Sequence, residues 1–222
     1  MNFLSHFYFD KQVKDPLVVL GIVLPDLYKP ATGGMKLHPE RYLEEIKKDP
    51  QQISLLKGWR KHHIVDDLFH GSEFFTKHTK DIRIHLEDAV FDKKVKRFAI
   101  AHVMLELIID GLLIKNNQVS VDDFYARLLA ADKVALEKFF QLNGIKDTKK
   151  FFGYFEHFLK VQYAYDYQYN ESIVFALSRI FGHFWNMDFA PYKKELSKTV
   201  NHFSKKLENS YLTIYNEIEQ QL

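Results

Sequence analysis

Three histidines and two aspartates lie within the stretch HHIVDDLFH, which runs from His62 to His70. Imidazole nitrogens and carboxylate oxygens bind divalent cations and transfer protons. If the stretch is helical, five side chains of these types, with Glu73 included, fall within roughly 100° of one another. They are His62, His63, Asp66, His70 and Glu73. Apolar residues occupy the opposite side, so the polar side is either a metal or catalytic site or the exposed face of an amphipathic helix.

A second candidate lies in the most apolar stretch of the chain, Phe98 to Ile114. His102, Glu106 and Asp110 recur there at a spacing of four residues and form one stripe on a helix. Every other position is apolar, alanine or glycine, which predicts a buried helix. A buried carboxylate needs a partner, and no lysine or arginine lies within the stretch. The partner is either a basic side chain from another helix or a divalent cation shared with the His62–His70 stretch.

Together, the two stretches favour a metal centre that hydrolyses a phosphate ester. A set of histidine and carboxylate ligands suits Mn, Fe, Zn or Mg and does not select among them. A bound divalent cation lowers the pKa of a coordinated water, and a nearby histidine or aspartate can protonate the leaving group. We therefore expect an enzyme. The alternative from a different class is a helical binding or scaffold protein.

The composition narrows the classes of protein. The chain of 222 residues is 46% hydrophobic and 15% aromatic, which predicts a globular protein and excludes a disordered one. Its 31 basic and 29 acidic side chains give a net charge of +2, which argues against a nucleic-acid partner. The absence of cysteine excludes disulfides and thiolate ligands and fits a reducing compartment. We therefore expect a cytoplasmic protein.

Neither the N-terminus nor the most apolar stretch predicts export or a membrane partner. The start MNFLSHFYFDKQ lacks a basic region followed by an apolar run, so we expect no signal peptide. The stretch from Phe98 to Ile114 approaches the length of a membrane span, but it carries two carboxylates, which are costly at bilayer depth. We interpret it as a core helix of a soluble protein.

Helical periodicity dominates the chain, and strand-like alternation is rare. We expect helices at about 15–28, 39–48, 50–80, 91–116, 120–130, 132–142, 147–168, 170–184 and 191–220. The expected N-caps are Asp49, Ser120 and Asp132, and Gly144 is an expected helix end. The stretch YAYDYQY (163–169) alternates like a strand, but it lies inside a helical run, so we interpret it as helical. The sequence predicts an all-α fold with a single domain over residues 1–222.

The chain carries five short motifs in order: MNFLSH, LGIVLPDLYK, Gly58 to Asp66, Glu106 to Asp110, and DYQYNESIVFALSR. They resemble those of the acyl carrier protein phosphodiesterases, which are similar to a divergent branch of the HD-domain phosphohydrolases. The start MNFLSH is similar to the family's MNFLAH, and LGIVLPDLYK is similar to its GNLLADF segment. Gly58, His62 and Asp66 match the family pattern G-x-x-x-H-x-x-x-D. Glu106 and Asp110 match a later D-x-x-x-D pair, and DYQYNESIVFALSR ends in the family's Ser-Arg. The resemblance runs in order from the first residue to the last helix.

The resemblance implies an HD-domain-like multi-helix bundle that acts as a metal-dependent phosphodiesterase in lipid metabolism. The implied substrate is the phosphodiester that joins 4′-phosphopantetheine to a serine of holo-acyl carrier protein, so the carrier protein is the implied partner. Mn is the expected metal, with Fe, Zn or Mg as alternatives. A second hypothesis is an HD-type hydrolase of a nucleotide or another small phosphoester. A third is a non-catalytic helical binding protein that keeps the fold.

The resemblance and the two helical stretches together suggest roles for individual residues. The metal ligands would be Asp26, His62, Asp66, Glu106 and Asp110. The supplementary ligands or proton shuttles would be His63, His70 or His102. Arg179 would either bind phosphate through its planar guanidinium or form a structural ion pair. His6 either joins the site or is a buried structural histidine.

Two departures from the family pattern concern the site itself. After the His-Asp pair the family continues Phe-Thr-Asp, whereas this chain has Leu68, Phe69 and His70. The family's histidine after the second carboxylate is replaced by Gly111, while His102 appears one turn before the first carboxylate. Either the ligands have been exchanged, or the substrate has changed or activity has been lost.

Overall fold

The computed structural model describes residues 1–87, 96–186 and 188–222, with only the backbone of His183 and Phe184. Across these residues the secondary structure consists of helices, turns and loops, without a strand. The predicted all-α class is therefore confirmed. None of the described helices is long and apolar enough to cross a membrane.

The helices follow one another closely along the chain. In order, they are α1 (Phe3–Tyr8), α2 (Pro16–Ala31), α3 (Leu43–Ile46), α4 (Pro50–Gly71), α5 (Glu73–Glu87), α6 (Arg97–Lys115), α7 (Val121–Ala130), α8 (Lys133–Leu142), α9 (Lys149–Val161), α10 (Asn170–Trp185), α11 (Lys193–Leu207) and α12 (Leu212–Glu219). Short 3₁₀ turns occupy Pro39–Tyr42, Tyr163–Gln168 and Ala190–Tyr192.

The predicted helix caps are confirmed. The side chains of Asp49, Ser120 and Asp132 accept hydrogen bonds from backbone amides two or three residues later, at the starts of α4, α7 and α8. Each satisfies an amide that the first turn of a helix leaves without an acceptor. Gly144 follows α8 with a φ of 78°, a left-handed conformation that favours glycine after a helix.

Several predicted helices are shorter than expected. The helix expected over 50–80 is divided at Ser72, whose Oγ accepts a 3.0 Å hydrogen bond from the amide of Phe75 and so caps α5. The helix expected over 147–168 ends at Val161, where Gln162 adopts a left-handed φ of 54°. The segment YAYDYQY then forms a 3₁₀ turn over Tyr163–Gln168.

Other boundaries also differ from the prediction. The region 39–48 holds a 3₁₀ turn and the four-residue α3, and the region 191–220 is divided into α11 and α12. Helix α1 was not predicted, because six residues are too few to display a helical period. The start expected near residue 91 for α6 lies outside the described residues, and α6 is described from Arg97.

The chain divides into two compact units, each assembled from segments that are distant in sequence. Unit 1 comprises Met1–Ser5, Asp67–Gln118 and Ala164–Leu222. Unit 2 comprises His6–Asp66 and Val119–Tyr163. The single domain over residues 1–222 stays a prediction.

In unit 1, helix α6 packs against α5, α10 and α11. Its apolar side chains are buried on several sides, which explains why its sequence is apolar nearly all round. Ile108 of α6, Leu177 of α10 and Val200 of α11 are examples of this buried core. Any polar side chain on α6 must therefore find its partner within a largely apolar environment.

In unit 2, helix α2 packs against α7 and α9. The run from Leu17 to Leu24 is buried throughout. Aromatic rings fill the space around it: Tyr28 lies 5.3 Å from Phe140, which in turn lies 4.8 Å from Phe151, between ring centroids. This dense packing fixes α2, which carries one wall of the site described next.

Candidate metal centre

Two glycines bring helices α2 and α4 into backbone contact. A Cβ atom at Gly58 would overlap the carbonyl oxygen of Val18, and a Cβ atom at Gly21 would overlap the backbone of α4. Any larger residue would push the two helices apart. Because the helices are this close, the carbonyl oxygen of Ile22 lies 2.7 Å from Nδ1 of His62.

Four side chains of unit 2 form what we call the His62 cluster, namely His6, Asp26, His62 and Asp66. The rings of His6 and His62 stack with their centroids 4.0 Å apart. Nε2 of His6 lies 3.7 Å from Oδ1 of Asp66 and 3.9 Å from Oδ2 of Asp26, and Nε2 of His62 lies 3.9 Å from Oδ1 of Asp26. These separations are too long for hydrogen bonds. They fall within the range for two ligands of one cation, about 2.9–4.2 Å for bonds of about 2.1 Å.

The backbone of α2 holds His62 in one tautomer. A carbonyl oxygen only accepts hydrogen bonds, so Nδ1 of His62 donates to Ile22 and Nε2 carries the lone pair. Burial lowers the pKa of His62 to about 4, although the nearby Asp66 carboxylate acts in the opposite direction. At pH 7 the ring is therefore neutral, and its Nε2 could serve as a ligand atom that a hydrogen bond at the other nitrogen orients.

His6 is the most unusual member of the cluster. Its side chain is 0% exposed, and neither ring nitrogen makes a hydrogen bond within the described part of the chain. Burial, and then the neighbouring His62, lower the pKa of His6 to about 4. Burying a polar group without a hydrogen bond costs on the order of 1–3 kcal/mol. Coordination of a cation through Nε2 would offset this cost.

The donor set of the His62 cluster fits a divalent cation. His6, His62 and Asp66 each bring one ligand atom to within 4.8 Å of the others, and Asp26 adds a second carboxylate. Two neutral imidazoles and two carboxylates balance a charge of 2+ and suit Mn, Fe or Zn. Of the five ligands predicted from the sequence, the structure thus brings Asp26, His62 and Asp66 together.

His63 lies beside the cluster and is exposed. Its ring is 5.2 Å from that of His62 and meets the ring of Trp59 edge-on at 5.0 Å. His63, Trp59 and Arg60 line a surface cavity together with apolar residues of α4 and with Pro39 and Glu40. A cationic guanidinium and an imidazole therefore share one cavity next to the candidate ligands.

Three other predicted residues meet in unit 1 and form what we call the His70 triad, namely His70, His102 and Glu106. His70 lies in the last turn of α4, while His102 and Glu106 are one turn apart on α6. Nε2 of His102 lies 2.9 Å and Nε2 of His70 lies 3.2 Å from Oε1 of Glu106, and the two nitrogens are 3.1 Å apart. The predicted stripe on α6 thus has its histidine partner from α4.

Glu106 is ionised in this setting. Burial opposes ionisation, but the α-amino group of Met1 and the hydrogen bonds with His102 and His70 outweigh it and hold the pKa of Glu106 well below its usual range. The nitrogen of Met1 lies 3.1 Å from Oε1. The carboxylate predicted to need a cationic partner therefore has one in addition to the two imidazoles.

Asp110, the third member of the stripe, is engaged by the start of α1. Its carboxylate accepts hydrogen bonds from the amides of Leu4 (3.1 Å) and Ser5 (2.8 Å), from the hydroxyl of Ser5 and from Nδ2 of Asn2 (2.9 Å). Burial raises the pKa of Asp110 to about 7, and the hydrogen bonds with Ser5 and Leu4 act against that rise. The carboxylate of Asp110 thus acts as an N-terminal cap of α1, although it lies on α6. A metal-ligand role for Asp110 stays a prediction.

Gly111 and Arg179 are the remaining predicted positions. A Cβ atom at Gly111 would overlap the backbone carbonyl of Tyr167, so the histidine that the family pattern carries here does not fit. Arg179 is exposed on α10, and within the described residues it forms no hydrogen bond or ion pair with the His70 triad. Its phosphate-binding role stays a prediction.

His6 is the residue whose place in the site the sequence left open. It lies on the short α1, and the residues that surround it are 20 or more positions away along the chain. No helical period can therefore reveal its partners. The one local indication is that apolar residues, Leu4 and Phe7 among them, surround it in sequence, which is typical of a buried position.

No protein-family model, curated protein or solved structure matches the chain. The resemblance to the carrier-protein phosphodiesterases therefore stays a prediction from the ordered motifs of the sequence.

Proposed function

We propose that the chain is a metal-dependent phosphoric ester hydrolase whose cation is held by the His62 cluster. The observation that carries the proposal is the state of His6, which is fully buried, makes no hydrogen bond through either ring nitrogen within the described residues, and stacks on His62. A purely structural histidine would be expected to use at least one nitrogen in a hydrogen bond. A ligand would keep a nitrogen for the cation, as His6 and His62 both do.

The side chains around the cluster suggest how hydrolysis would proceed. A divalent cation bound there would lower the pKa of a coordinated water and supply hydroxide as the nucleophile. Ile22 orients His62 through Nδ1, and the carboxylates of Asp26 and Asp66 compensate the charge of the cation. We assign protonation of the leaving oxygen to the exposed ring of His63.

The cavity beside the cluster would receive the substrate. Arg60 and His63 line it together with the indole of Trp59. The planar guanidinium of Arg60 can donate two parallel hydrogen bonds to phosphoryl oxygens. The charged side chains that line the cavity are Arg60 and Glu40, and the rest of its wall is largely apolar. The apolar wall suits the organic arms of a phosphodiester, and Arg60 suits its phosphoryl group.

The resemblance suggests a particular substrate, the 4′-phosphopantetheine ester of acyl carrier protein, and an HD-domain-like fold. Several residues that match the family motifs lie in the cluster or its supporting contact, namely Asp26, Gly58, His62 and Asp66. On this proposal the products are 4′-phosphopantetheine and the apo-carrier protein.

The metal site and the activity are tested with a pair of neighbouring variants. Asp66→Asn removes a ligand of the His62 cluster, and Asp67→Asn changes the adjacent, exposed carboxylate in the same way. We expect Asp66→Asn to lower kcat on holo-carrier protein by at least about 100-fold and to release one equivalent of metal. Asp67→Asn should leave both unchanged. Metal content is measured by elemental analysis and phosphopantetheine release by mass spectrometry.

Three other outcomes would each change or refute the proposed function. Turnover of nucleotides or a chromogenic phosphodiester, without release of phosphopantetheine, would retain the hydrolase and replace the carrier protein as substrate. Metal binding without turnover of any phosphoester would favour the non-catalytic binding protein. Absence of metal from the purified protein, together with no thermal stabilisation by Mn²⁺ or Zn²⁺, would refute the site.

A further inference from the structure

The His70 triad contains an arrangement of three atoms that hydrogen bonds alone do not satisfy. Nε2 of His70, Nε2 of His102 and Oε1 of Glu106 lie at the corners of a nearly regular triangle with sides of 2.9, 3.1 and 3.2 Å. All three sides have the length of a hydrogen bond. Each ring nitrogen, however, presents either one hydrogen or one lone pair, and the carboxylate oxygen presents only lone pairs.

Every assignment of protons leaves one side of the triangle repulsive. If both imidazoles donate to Glu106, two N–H groups face each other across the 3.1 Å side. If His70 donates to His102, the lone pair of His102 faces the carboxylate oxygen at 2.9 Å, and the reverse choice leaves the same repulsion at 3.2 Å. A cation bound to all three atoms makes each lone pair attractive.

The dimensions of the triangle match those of a coordination site. Two ligands bound to the same ion at about 2.0–2.1 Å are about 2.8–3.4 Å apart when they occupy neighbouring positions. All three sides of the triad fall within this range. Two histidines and one glutamate, with further positions open, are a set that Zn²⁺ accepts in enzymes. We propose that the His70 triad binds a divalent cation, with Zn²⁺ as the best match.

The surroundings of the triad hold the ligands in place and leave them accessible. The ring of Phe75 meets the rings of both histidines edge-on, at 4.7 Å for His70 and 4.9 Å for His102. The side chains of His70 and His102 are 29% and 31% exposed, so an ion can enter from solvent and keep water ligands. Ser72 ends α4 directly after the turn that carries His70.

The α-amino group of Met1 provides the competing explanation. It lies 3.1 Å from Oε1 of Glu106 and supplies a positive charge to that carboxylate. An ammonium ion satisfies Glu106, but it does not remove the repulsion between the two imidazoles or between one of them and the carboxylate. A divalent cation relieves all three contacts.

The proposed site belongs to unit 1 and does not depend on the proposed function. The test is a calorimetric titration of the full chain with Zn²⁺ after its resident metal has been removed with a chelator. We expect two equivalents for the unaltered protein and one for His102→Gln, with the affinity of the lost site reduced at least about 100-fold. Glu106→Gln, which keeps the shape of the side chain, should lose the same equivalent.

Control variants distinguish loss of metal binding at the triad from loss of binding at the His62 cluster and from unfolding. His85→Gln, on α5, changes a histidine that stacks on His202 at 5.0 Å and should keep both equivalents. Asp66→Asn should lose the other equivalent and keep the one at the triad. Far-UV circular dichroism should give the same helix content for every variant.

The stoichiometries decide between the two proposals. One equivalent that His102→Gln removes and Asp66→Asn retains would support the triad and refute the His62 cluster. One equivalent that only Asp66→Asn removes would overturn the triad and leave the His62 cluster intact. Absence of binding, or two equivalents retained by both His102→Gln and Glu106→Gln, would overturn the triad.

Discussion

Asp110 illustrates at the residue scale how a buried carboxylate can serve the fold. Four hydrogen-bond donors at the start of α1 converge on it. Asp110→Ala would leave the buried amides of Leu4 and Ser5 without this acceptor, whereas the hydroxyl of Ser5 keeps Tyr215 as a partner. We therefore expect the free energy of unfolding to fall by about 2–4 kcal/mol. Metal content should stay unchanged, because the structure gives Asp110 a capping role. Urea denaturation and elemental analysis measure the two quantities.

A different result at Asp110 would favour the ligand role that the sequence predicts for it. Loss of one metal equivalent from a folded Asp110→Ala protein would identify Asp110 as a ligand. The Asp67→Ala variant, which removes an exposed carboxylate of α4, is a control for the loss of one carboxylate and should change neither stability nor metal content by much.

His6 allows a sharper test, because its structural and ligand roles predict opposite results. His6→Phe keeps an aromatic ring against His62 and removes two ring nitrogens that make no hydrogen bond within the described residues. We expect the metal-free variant to be as stable as the unaltered protein or more so, since fewer polar atoms are buried. Metal affinity should fall by at least about tenfold. Thermal melts with and without Mn²⁺ measure both effects.

The opposite result for His6→Phe would show that His6 is a structural residue. If His6→Phe lowers the melting temperature of the metal-free protein and leaves the shift caused by Mn²⁺ unchanged, His6 is a structural residue. The exposed His38, which pairs with Glu40 at 3.0 Å, provides a control, and His38→Phe should leave the metal-induced shift intact.

At the scale of elements, the contact between α2 and α4 sets the geometry of the His62 cluster. A Cβ atom at Gly58 would overlap α2, so Gly58→Ala should separate the helices and lower the free energy of unfolding by about 1–3 kcal/mol. Metal affinity should fall as well, because Ile22 would no longer orient His62. Urea denaturation and metal titration check the two effects.

The matched control for Gly58 is Gly153, in the middle of α9. A Cβ atom there would meet nothing within 4 Å, so Gly153→Ala should raise stability by about 0.5–1 kcal/mol through helix propensity alone. Equal effects of the two substitutions would contradict the close approach of α2 and α4.

Some boundaries of the helices were predicted correctly from the sequence, and others were not. Caps such as Ser120 and Asp132 are local interactions, and they were predicted correctly together with the helices they begin. The break at Ser72 was missed, although a Gly-Ser pair before a glutamate is typical of a helix end followed by an N-cap. Because of this break, His70 lies in the last turn of α4.

Contacts distant in sequence account for the rest of the site. Periodicity predicted that Glu106 needs a partner from another helix, but not which one. It did not predict that Asp110 would cap α1, since this requires the two segments to meet in the fold. Gly111 is explained only by the backbone of Tyr167, which occupies the space of a side chain. The rings of His6 and His62 come together for the same reason, through the packing of unit 2.

For the whole molecule, the shifted pKa values predict how stability depends on pH. Burial lowers the pKa of His6 and of His62 to about 4, so between about pH 4 and 6.5 the unfolded chain binds more protons at these residues than the native protein. Acidification through this window therefore destabilises the fold. Asp110 acts in the opposite sense. Its pKa is raised to about 7, so the native protein binds the extra proton and gains stability as the pH falls from about 7 to 4.

Replacing Asp110 or His62 should change how steeply the free energy of unfolding depends on pH, each in a known direction. Without Asp110 the opposing effect is lost, so the free energy of unfolding of Asp110→Ala should fall more steeply on acidification from pH 6.5 to 4.5. The increase in slope should reach about 1.4 kcal/mol per pH unit. His62→Gln should instead give a shallower slope than the unaltered protein. Urea denaturation followed by circular dichroism, at several pH values and with a chelator present, measures the three curves. Parallel curves would mean that neither His62 nor Asp110 has a shifted pKa in the folded chain.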